Sequence, residues 1–271
     1  MEKKIIFMLK KLIPKKILDF IKNFLEPSSK YRKKINKNFK RNIEKREKYP
    51  ENLNLWERKF YSQNGEDGIT LEIFNRIGTT NKYYVEFGTE DGNECNTRIL
   101  REKFGWKGLL MDGSYENKKI NLNKEFITAE NIERLFEKYK VPKKFDLLSI
   151  DIDSNDYYVW ESIKNYSPRV VIIEYNSKIS PKKSESIIYN PKQIWDGTDY
   201  FGASLLALTK LGERKGYKLV CCDNVGCNAF FIRKDILNFK KRPYSKIYRK
   251  PRYGNLLRKG HPRGKKKTVS I

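Results

Sequence analysis

The segment Tyr83–Thr97, which reads YYVEFGTEDGNECNT, indicates the fold class of this chain. A short apolar run ends in Glu86, and two glycines, Gly88 and Gly92, follow. This order predicts a buried parallel strand that passes through a glycine loop into a helix beginning near Asn96. Backbone N–H groups at a helix start are unpaired, so such a loop can hold a polar or anionic ligand group. The GxxxG spacing matches neither a dinucleotide fingerprint nor a P-loop, and a plain strand-to-helix turn is the alternative interpretation.

A second acid follows the next predicted strand, which covers 108–111 and reads GLLM. Asp112 comes 24 residues after Gly88, at the tip of a strand that should neighbour the first. Nucleotide-binding α/β folds place a carboxylate there to accept hydrogen bonds from the ribose hydroxyls. A helix cap is the alternative role, because Gly113 and Ser114 come next. Together with the glycine loop, Asp112 predicts a ribose site.

Strands and helices alternate along the rest of the chain, as the spacing of apolar residues indicates. Five strands that alternate with helices predict a doubly wound, Rossmann-like α/β sheet with right-handed crossovers. The last two strands are joined by turn-forming residues at 223–226, which predicts an antiparallel hairpin at the C-terminal edge of a mostly parallel seven-stranded sheet. The later predicted strands are 126–129, 145–150, 169–173, 217–222 and 229–232, and the predicted helices include 132–139 and 204–215.

This order of elements resembles the class I S-adenosylmethionine-dependent methyltransferases and, within them, the FkbM-like O-methyltransferases. The resemblance extends from about Tyr61 to Asp235. It rests on VEFGTEDGN at 85–93, on LLSIDIDSND at 147–156 and on SQNGED at 62–67. It implies that S-adenosylmethionine is the cofactor and that the reaction is a methyl transfer.

The resemblance also implies which residues bind the cofactor. In the family, the first strand and its loop hold the methionine part, the acid after the second strand takes the ribose, and the segment after the third strand flanks the adenine. The matching residues are Glu86, Gly88, Thr89 and Gly92 for the methionine part, Asp112 for the ribose, and Glu130, Asn131 and Ile132 for the adenine. The fourth-strand motif departs from the family's usual Ile-Asp-Val-Glu-Gly, because Ser154 replaces the glycine and three acids crowd within six positions.

Acids at the predicted strand ends are the candidate catalytic residues. Methyl transfer is an in-line displacement, so the protein mainly aligns the reactants, but a hydroxyl acceptor must also lose its proton. A carboxylate crowded by like charges has a raised pKa, which suits a general base. We predict Asp153 as the base, with Asp151 and Glu174 as the next candidates. Helix capping or a solvated loop is the alternative role for these acids.

Oxygen-bearing side chains near these strand ends also allow a metal site. Such ligands suit Mg²⁺, which can acidify a vicinal diol. We predict a reaction without a metal and keep the divalent ion as the alternative. The only histidine, His261, lies in a basic tail, so neither a histidine base nor a histidine-rich zinc site is predicted. The possible Mg²⁺ ligands are Asp151, Asp153, Asp156 and Asn176.

The segment 194–201, which reads IWDGTDYF, separates the fifth strand from the last long helix. By position it can form a lid over the acceptor, with Trp195 as a stacking side chain. A surface loop anchored by Trp195 and Phe201 is the alternative.

The net charge of +25 is concentrated at the two ends of the chain. Residues 1–50 contain 17 basic and 5 acidic residues, and residues 234–271 contain 14 basic and 1 acidic, whereas the middle is balanced. Such a charge distribution indicates what kind of partner the protein binds, and it says little about the fold. We predict a basic amphipathic N-terminal extension at 1–50, a methyltransferase domain at 51–235 and a basic C-terminal tail at 236–271.

Both arms allow more than one partner. Apolar residues recur every three to four positions in the N-terminal arm, which suits an anionic membrane surface or packing on the domain or a second subunit. Charges interrupt every long apolar run, so no membrane span is predicted. In the C-terminal arm tyrosines alternate with Arg and Lys, which can contact nucleic acid, anionic lipid or a phosphorylated glycan, or remain disordered.

We predict an O-methyltransferase for a hydroxylated acceptor, such as a sugar or a glycan precursor. An RNA- or DNA-directed methyltransferase and a non-catalytic basic adaptor are the alternatives. The cysteines form no CxxC pair, which fits a reducing compartment, and we predict a cytoplasmic protein that can lie beside a membrane. The cysteines are Cys95, Cys221, Cys222 and Cys227.

Overall fold

The computed structural model of the protein describes residues 44–254 and 259–271. The amphipathic helix predicted near the N-terminus falls within 1–43 and lies outside the described residues. Within the described ranges, no helix is both long and apolar enough to cross a bilayer.

Short strands and helices alternate through the domain. The α-helices are α1 Glu66–Ile77, α2 Arg98–Phe104, α3 Ile132–Lys138, α4 Asp156–Ser162, α5 Leu205–Arg214 and α6 Tyr244–Ile247. The strands are β1 Tyr83–Phe87, β2 Lys107–Asp112, β3 Leu122–Lys124, β4 Lys144–Ile150, β5 Ser167–Glu174, β6 Glu185–Ser186, β7 Tyr217–Cys222, β8 Asn228–Arg233 and β9 Val269–Ser270.

Seven strands form one sheet in the order β3-β2-β1-β4-β5-β8-β7. Strands β1 to β5 are parallel, whereas β8 is antiparallel to both β5 and β7. The predicted Rossmann-like, mostly parallel sheet with an antiparallel edge hairpin is therefore confirmed. The strand order reverses between β1 and β4, and ligands of such sheets bind at the carboxyl ends of the strands beside this switch point.

The third strand lies earlier in the chain than the sequence predicts. The prediction of a strand at 126–129 is wrong, because β3 is Leu122–Lys124 and pairs with β2 through Leu110 and Leu122. Residues 126–128 are instead held by hydrogen bonds to the side chain of Asn131, which accepts from the Thr128 N–H and donates to the Phe126 carbonyl. These local side-chain bonds replace a strand ladder, as asparagine often does in turns.

The strands place alternate residues in two apolar layers, as the period of two requires. Leu109 and Met111 enter the layer covered by α3, α4 and α5, whereas Leu110 enters the layer covered by α1 and α2. Buried aromatic side chains such as Phe136 and Trp160 fill the first layer. Both faces of the sheet are therefore covered, and its strand ends remain the place where a ligand can enter.

The C-terminal segment lies against the domain. Strand β9 pairs with β6, and the hydroxyls of Tyr244 and Tyr248 donate to the carbonyls of Pro181 and Ser177. The guanidinium of Arg249 donates to Asn54 near the start of the described chain. The predicted domain boundaries stay a prediction, but this segment contributes to the folded body and, as shown below, to the site.

Candidate functional site

A cleft of about 440 Å³ opens at the carboxyl ends of β1, β4 and β5 and beside the first residue of β8. This volume lies in the range of small-molecule sites. The lining comes from distant parts of the chain and comprises Gln63, Asn64, Glu66, Glu86, Gly88, Thr89, Glu90, Asp91, Glu94, Cys95, Asn96, Asp151, Asp153, Glu174, Trp195, Cys227, Asn228, Tyr253, Gly254 and His261.

The loop after β1 needs its glycines for close packing. Gly88 has a φ of +74°, and a Cβ atom there would lie 1.4 Å from the carbonyl oxygen of Asp151. Gly92 has a φ of +82°, which strains a residue with a side chain, and it packs against the terminal methyl group of Ile120. Only glycine lets this loop approach the loop after β4. Gly88 lines the cleft, whereas Gly92 does not.

Glu86 holds the start of α2. Its buried carboxylate accepts from the N–H groups of Asn96 and Thr97, at 2.8 and 3.0 Å, and from the Thr97 hydroxyl. Burial raises the pKa of Glu86, and these hydrogen bonds oppose the rise. The acid that ends β1 therefore shapes the loop in addition to lining the cleft.

Asp112 joins the tips of β1 and β2. One carboxylate oxygen accepts from the Glu90 N–H at 2.8 Å, and the other accepts from the N–H groups of Ser114 and Tyr115. The two strand tips therefore meet, as a nucleoside site requires. Asp112 is outside the residues that line the cleft.

The other predicted cofactor residues occupy different environments. Thr89 lines the cleft, and its buried hydroxyl has no hydrogen-bond partner among the described residues. Asn131 bridges the turn before α3, and Ile132 is fully buried in the core, so neither lines the cleft. Glu130 is exposed and accepts from the Tyr189 hydroxyl.

The three predicted catalytic acids line the cleft together. Asp151 follows β4 and Glu174 ends β5, and the residues before them, Ile150 and Ile173, pair in register. Burial raises the pKa of both acids, and so does the charge of nearby acids. Asp153 has a φ of +55°, a conformation that costs energy in a residue with a side chain. The pKa of Asp153 is raised by its enclosure in the cleft and then by Glu90 and Asp112.

Asp156 is the first residue of α4 and lies close to Asp151 and Glu174. Its carboxylate accepts from the N–H groups of Ile152 and Ser154, at 2.9 and 3.1 Å. Burial nevertheless raises its pKa to about 6. One oxygen each from Asp151, Asp156 and Glu174 lies within 4.8 Å of the others.

The amide of Asn176, which the sequence suggests as a metal ligand, is used elsewhere. Its nitrogen donates to the carbonyls of Asp199 and Phe201, and its oxygen accepts from the Lys178 N–H. Asn176 therefore anchors the loop before α5. Of the four possible ligands named from the sequence, the structure groups Asp151 and Asp156, and it adds Glu174.

Sequence reasoning missed the contribution of the C-terminal segment. Tyr253 and His261 line the cleft beside Trp195, whose ring centre lies 4.6 Å from that of His261. The indole N–H of Trp195 donates to the Thr198 carbonyl, which fixes this wall. Burial, and then the charge of Lys178, lowers the pKa of His261 below its ordinary value. The aromatic residues of the C-terminal tail were the sequence feature that could have indicated this contribution.

The cleft is strongly acidic although the chain is basic. No Lys or Arg occurs among the described residues that line it. Such a lining repels phosphate groups and attracts a ligand with positive charge. The acidic lining residues are Glu66, Glu86, Glu90, Asp91, Glu94, Asp151, Asp153 and Glu174.

No protein-family model and no curated protein sequence matches the chain. Solved structures with a partial similarity include the pyocyanin biosynthetic protein PhzM, at 12% identity over 60% of this chain and 53% of that one, with a TM-score of 0.32. Human N-acetylserotonin methyltransferase in complex with SAM matches at 10% identity, over 62% and 54%, with a TM-score of 0.34. A SAM-dependent methyltransferase from Aquifex aeolicus matches at 11% identity, over 60% and 88%, with a TM-score of 0.29.

The chain therefore spans about half the length of the first two structures. These similarities are too weak to assign an activity, and the predicted FkbM-like membership stays a prediction.

Proposed function

We propose that the protein is an S-adenosylmethionine-dependent O-methyltransferase for a hydroxylated small molecule, such as a sugar or a glycan precursor. The observation that carries this proposal is the acidic cleft at the switch point of the sheet. S-adenosylmethionine carries a sulfonium, an ammonium and one carboxylate group but no phosphate, so its net positive charge complements this lining. Nicotinamide dinucleotides and nucleoside triphosphates carry negative phosphates and would be repelled.

The proposed placement of the cofactor follows the strand tips. The methionine part would lie against the backbone of Gly88 and the unpaired hydroxyl of Thr89. The ribose would reach toward Asp112, whose oxygens keep lone pairs beyond the three N–H groups that they already accept. The adenine would point toward Asn131 on the turn before α3.

The proposed reaction forms an oxygen–methyl bond while the carbon–sulfur bond of the sulfonium breaks. The sulfonium becomes a neutral thioether, and the hydroxyl proton passes to a base, for which Asp153 is the candidate. Asp153 is exposed and lines the cleft. Among the described residues, none forms a hydrogen bond with its carboxylate. Trp195, Tyr253 and His261 would keep water from the acceptor.

Calorimetry on the purified chain tests the cofactor. In buffer without divalent cations, we expect S-adenosylmethionine and its demethylated product to bind, whereas ATP and NAD should not bind measurably. Asp112→Ala should weaken cofactor binding, and Asp235→Ala, which removes an exposed acid paired with Arg233, should not. A folded protein that ignores S-adenosylmethionine would contradict the proposal.

A methyl-transfer screen with glycans, small diols and RNA tests the acceptor. The hydroxyls of Tyr244 and Tyr248 already donate to the domain, and Arg249 donates to three carbonyls of 246–248. These side chains are therefore engaged within the chain, which favours a small acceptor over nucleic acid. Methyl incorporation into RNA that falls steeply with salt would reverse this preference.

A further inference from the structure

We propose that the base of the cleft binds a divalent cation, Mg²⁺ or Mn²⁺, between the carboxylates of Asp151, Asp156 and Glu174. The amide oxygen of Asn228 would be the fourth protein ligand. The glycine loop that would hold the cofactor packs beside Asp151, but cation binding can be measured without the cofactor.

The first support is the position of the three acids. Asp151 directly follows β4, Glu174 ends the paired strand β5, and Asp156 begins the helix that follows β4, so three elements bring their carboxylates together. One oxygen of each lies within 4.8 Å of the other two. Oxygens bound to the same Mg²⁺ at 2.0–2.1 Å are about 3–4 Å apart, so small side-chain rotations would complete the site.

The second support is independent and comes from Asn228. This residue pairs directly with Glu174 across β5 and β8, is only 4% exposed and lines the same cleft. Its amide nitrogen donates to the Glu66 carboxylate at 3.0 Å. Because a carboxylate can only accept, this bond fixes the orientation of the amide. The amide oxygen of Asn228 is left buried with no partner among the described residues.

Two directly paired residues, Glu174 and Asn228, therefore each have an unsatisfied acceptor and line the same cleft. One oxygen of Glu174 is also buried without a partner among the residues that the structure describes. Asp156 accepts two N–H groups, but its oxygens keep further lone pairs for a metal. Buried acceptors cost free energy unless a donor or a cation satisfies them. Carboxylate and amide oxygens together select a hard cation such as Mg²⁺ or Mn²⁺.

The cation also suggests an acceptor class, and this step rests on the proposed methyl transfer. A divalent ion at the base of the cleft can bind two neighbouring oxygens of a vicinal diol and lower the pKa of the reacting hydroxyl. The hydroxyl oxygen would then attack the methyl group as the carbon–sulfur bond breaks. Asp153 is outside the group of three acids and would remain free to take the proton.

Titration with Mn²⁺, followed by electron paramagnetic resonance, tests the site on the full chain without cofactor. We expect one Mn²⁺ per chain, displaced by Mg²⁺. Affinity should fall at least about tenfold in Asp151→Asn and in Glu174→Gln, because each removes a charged ligand. Glu137→Gln is the matched control, since it neutralises an exposed acid outside the cleft and should leave affinity unchanged. Circular dichroism confirms that each variant is folded.

Several results would overturn the inference. Folded wild-type protein that binds no Mn²⁺ at about 1 mM has no such site. Equal affinity in the wild type and both variants would place the ion elsewhere. If Mn²⁺ does not bind but the two variants lose S-adenosylmethionine, the acids hold the positive cofactor, and the methyltransferase proposal survives without the metal. If Mn²⁺ binds but methylation persists in a chelator, the diol step is wrong.

Discussion

Strands β4 and β5 have charged residues at or near both ends, and the hydrogen-bond partners of these residues differ between the two ends. At the amino end, the fully buried Asp146 accepts from the Arg169 guanidinium, from the Lys82 N–H and from both the N–H and the hydroxyl of Thr80. Arg169 also donates to the Ile77 carbonyl. At the carboxyl end of the same strands, Asp151 and Glu174 face other acids.

This contrast separates two uses of a buried charge. Removing one partner of a buried ion pair leaves an uncompensated charge in the protein interior, so each partner is needed for stability. Acids placed near one another without a cation destabilise the fold, so a chain that keeps them is expected to use them for binding or catalysis. The amino end of β4 and β5 is therefore structural, and the carboxyl end is the functional candidate.

The largest effect on stability should come from the amino end. Asp146→Ala leaves Arg169 buried without its acid and frees the N–H groups of Thr80 and Lys82. We expect the free energy of unfolding, measured with urea, to fall by about 3–5 kcal/mol. Asp235→Ala, at an exposed ion pair, should cost less than about 1 kcal/mol. Equal effects of the two variants would contradict the structural role that we assign to the amino end of β4 and β5.

The carboxyl end should show the opposite pattern. Asp151→Asn and Glu174→Gln each remove one of several like charges, so the midpoint of urea unfolding should stay the same or rise. Methyl transfer should fall by about 100-fold, because each variant removes a carboxylate that would hold the proposed cation. A loss of several kcal/mol of stability in these variants would instead show that Asp151 and Glu174 stabilise the fold, as Asp146 does.

Glu86 sharpens the comparison because it lies at the carboxyl edge but is bonded like a structural acid. Glu86→Ala leaves two buried N–H groups and the Thr97 hydroxyl without their acceptor. We expect a loss of about 1–3 kcal/mol in urea unfolding. A variant with unchanged stability and lost cofactor binding would show that Glu86 serves the ligand and not the loop.

The smallest effect should come from the wall formed by the tail. His261→Phe keeps the ring contact with Trp195 and removes the imidazole nitrogens. A general base contributes about 10²–10⁴-fold, so we expect a loss of methyl transfer below about tenfold if His261 only packs. If His261 were the base, the wild-type rate would instead rise with pH through its lowered pKa, because only the neutral ring accepts a proton. The pH profile of the wild type and of His261→Phe distinguishes the two roles.

Much of the fold follows from local patterns. The prediction for β7 matches the structure, and the predicted hairpin, helices and remaining strands agree within about two residues, because apolar periodicity and turn residues act locally. Strand β3 was misplaced because 126–129 is apolar, yet Phe126 is 49% exposed and Asn131 organises the turn. In the sheet that the structure describes, β3 is a three-residue strand at the edge, and so short a strand leaves little periodic signal.

The sequence by itself determined the order of strands and helices, the glycines that let two loops touch and the acids that end the strands. Only the tertiary structure decided which of those acids are satisfied and which are not. The partners of Asp146 lie as far as 66 residues away, and Tyr253 and His261 reach the cleft from the other end of the chain. Burial and hydrogen bonding depend on such distant partners, so neighbouring residue types cannot specify them.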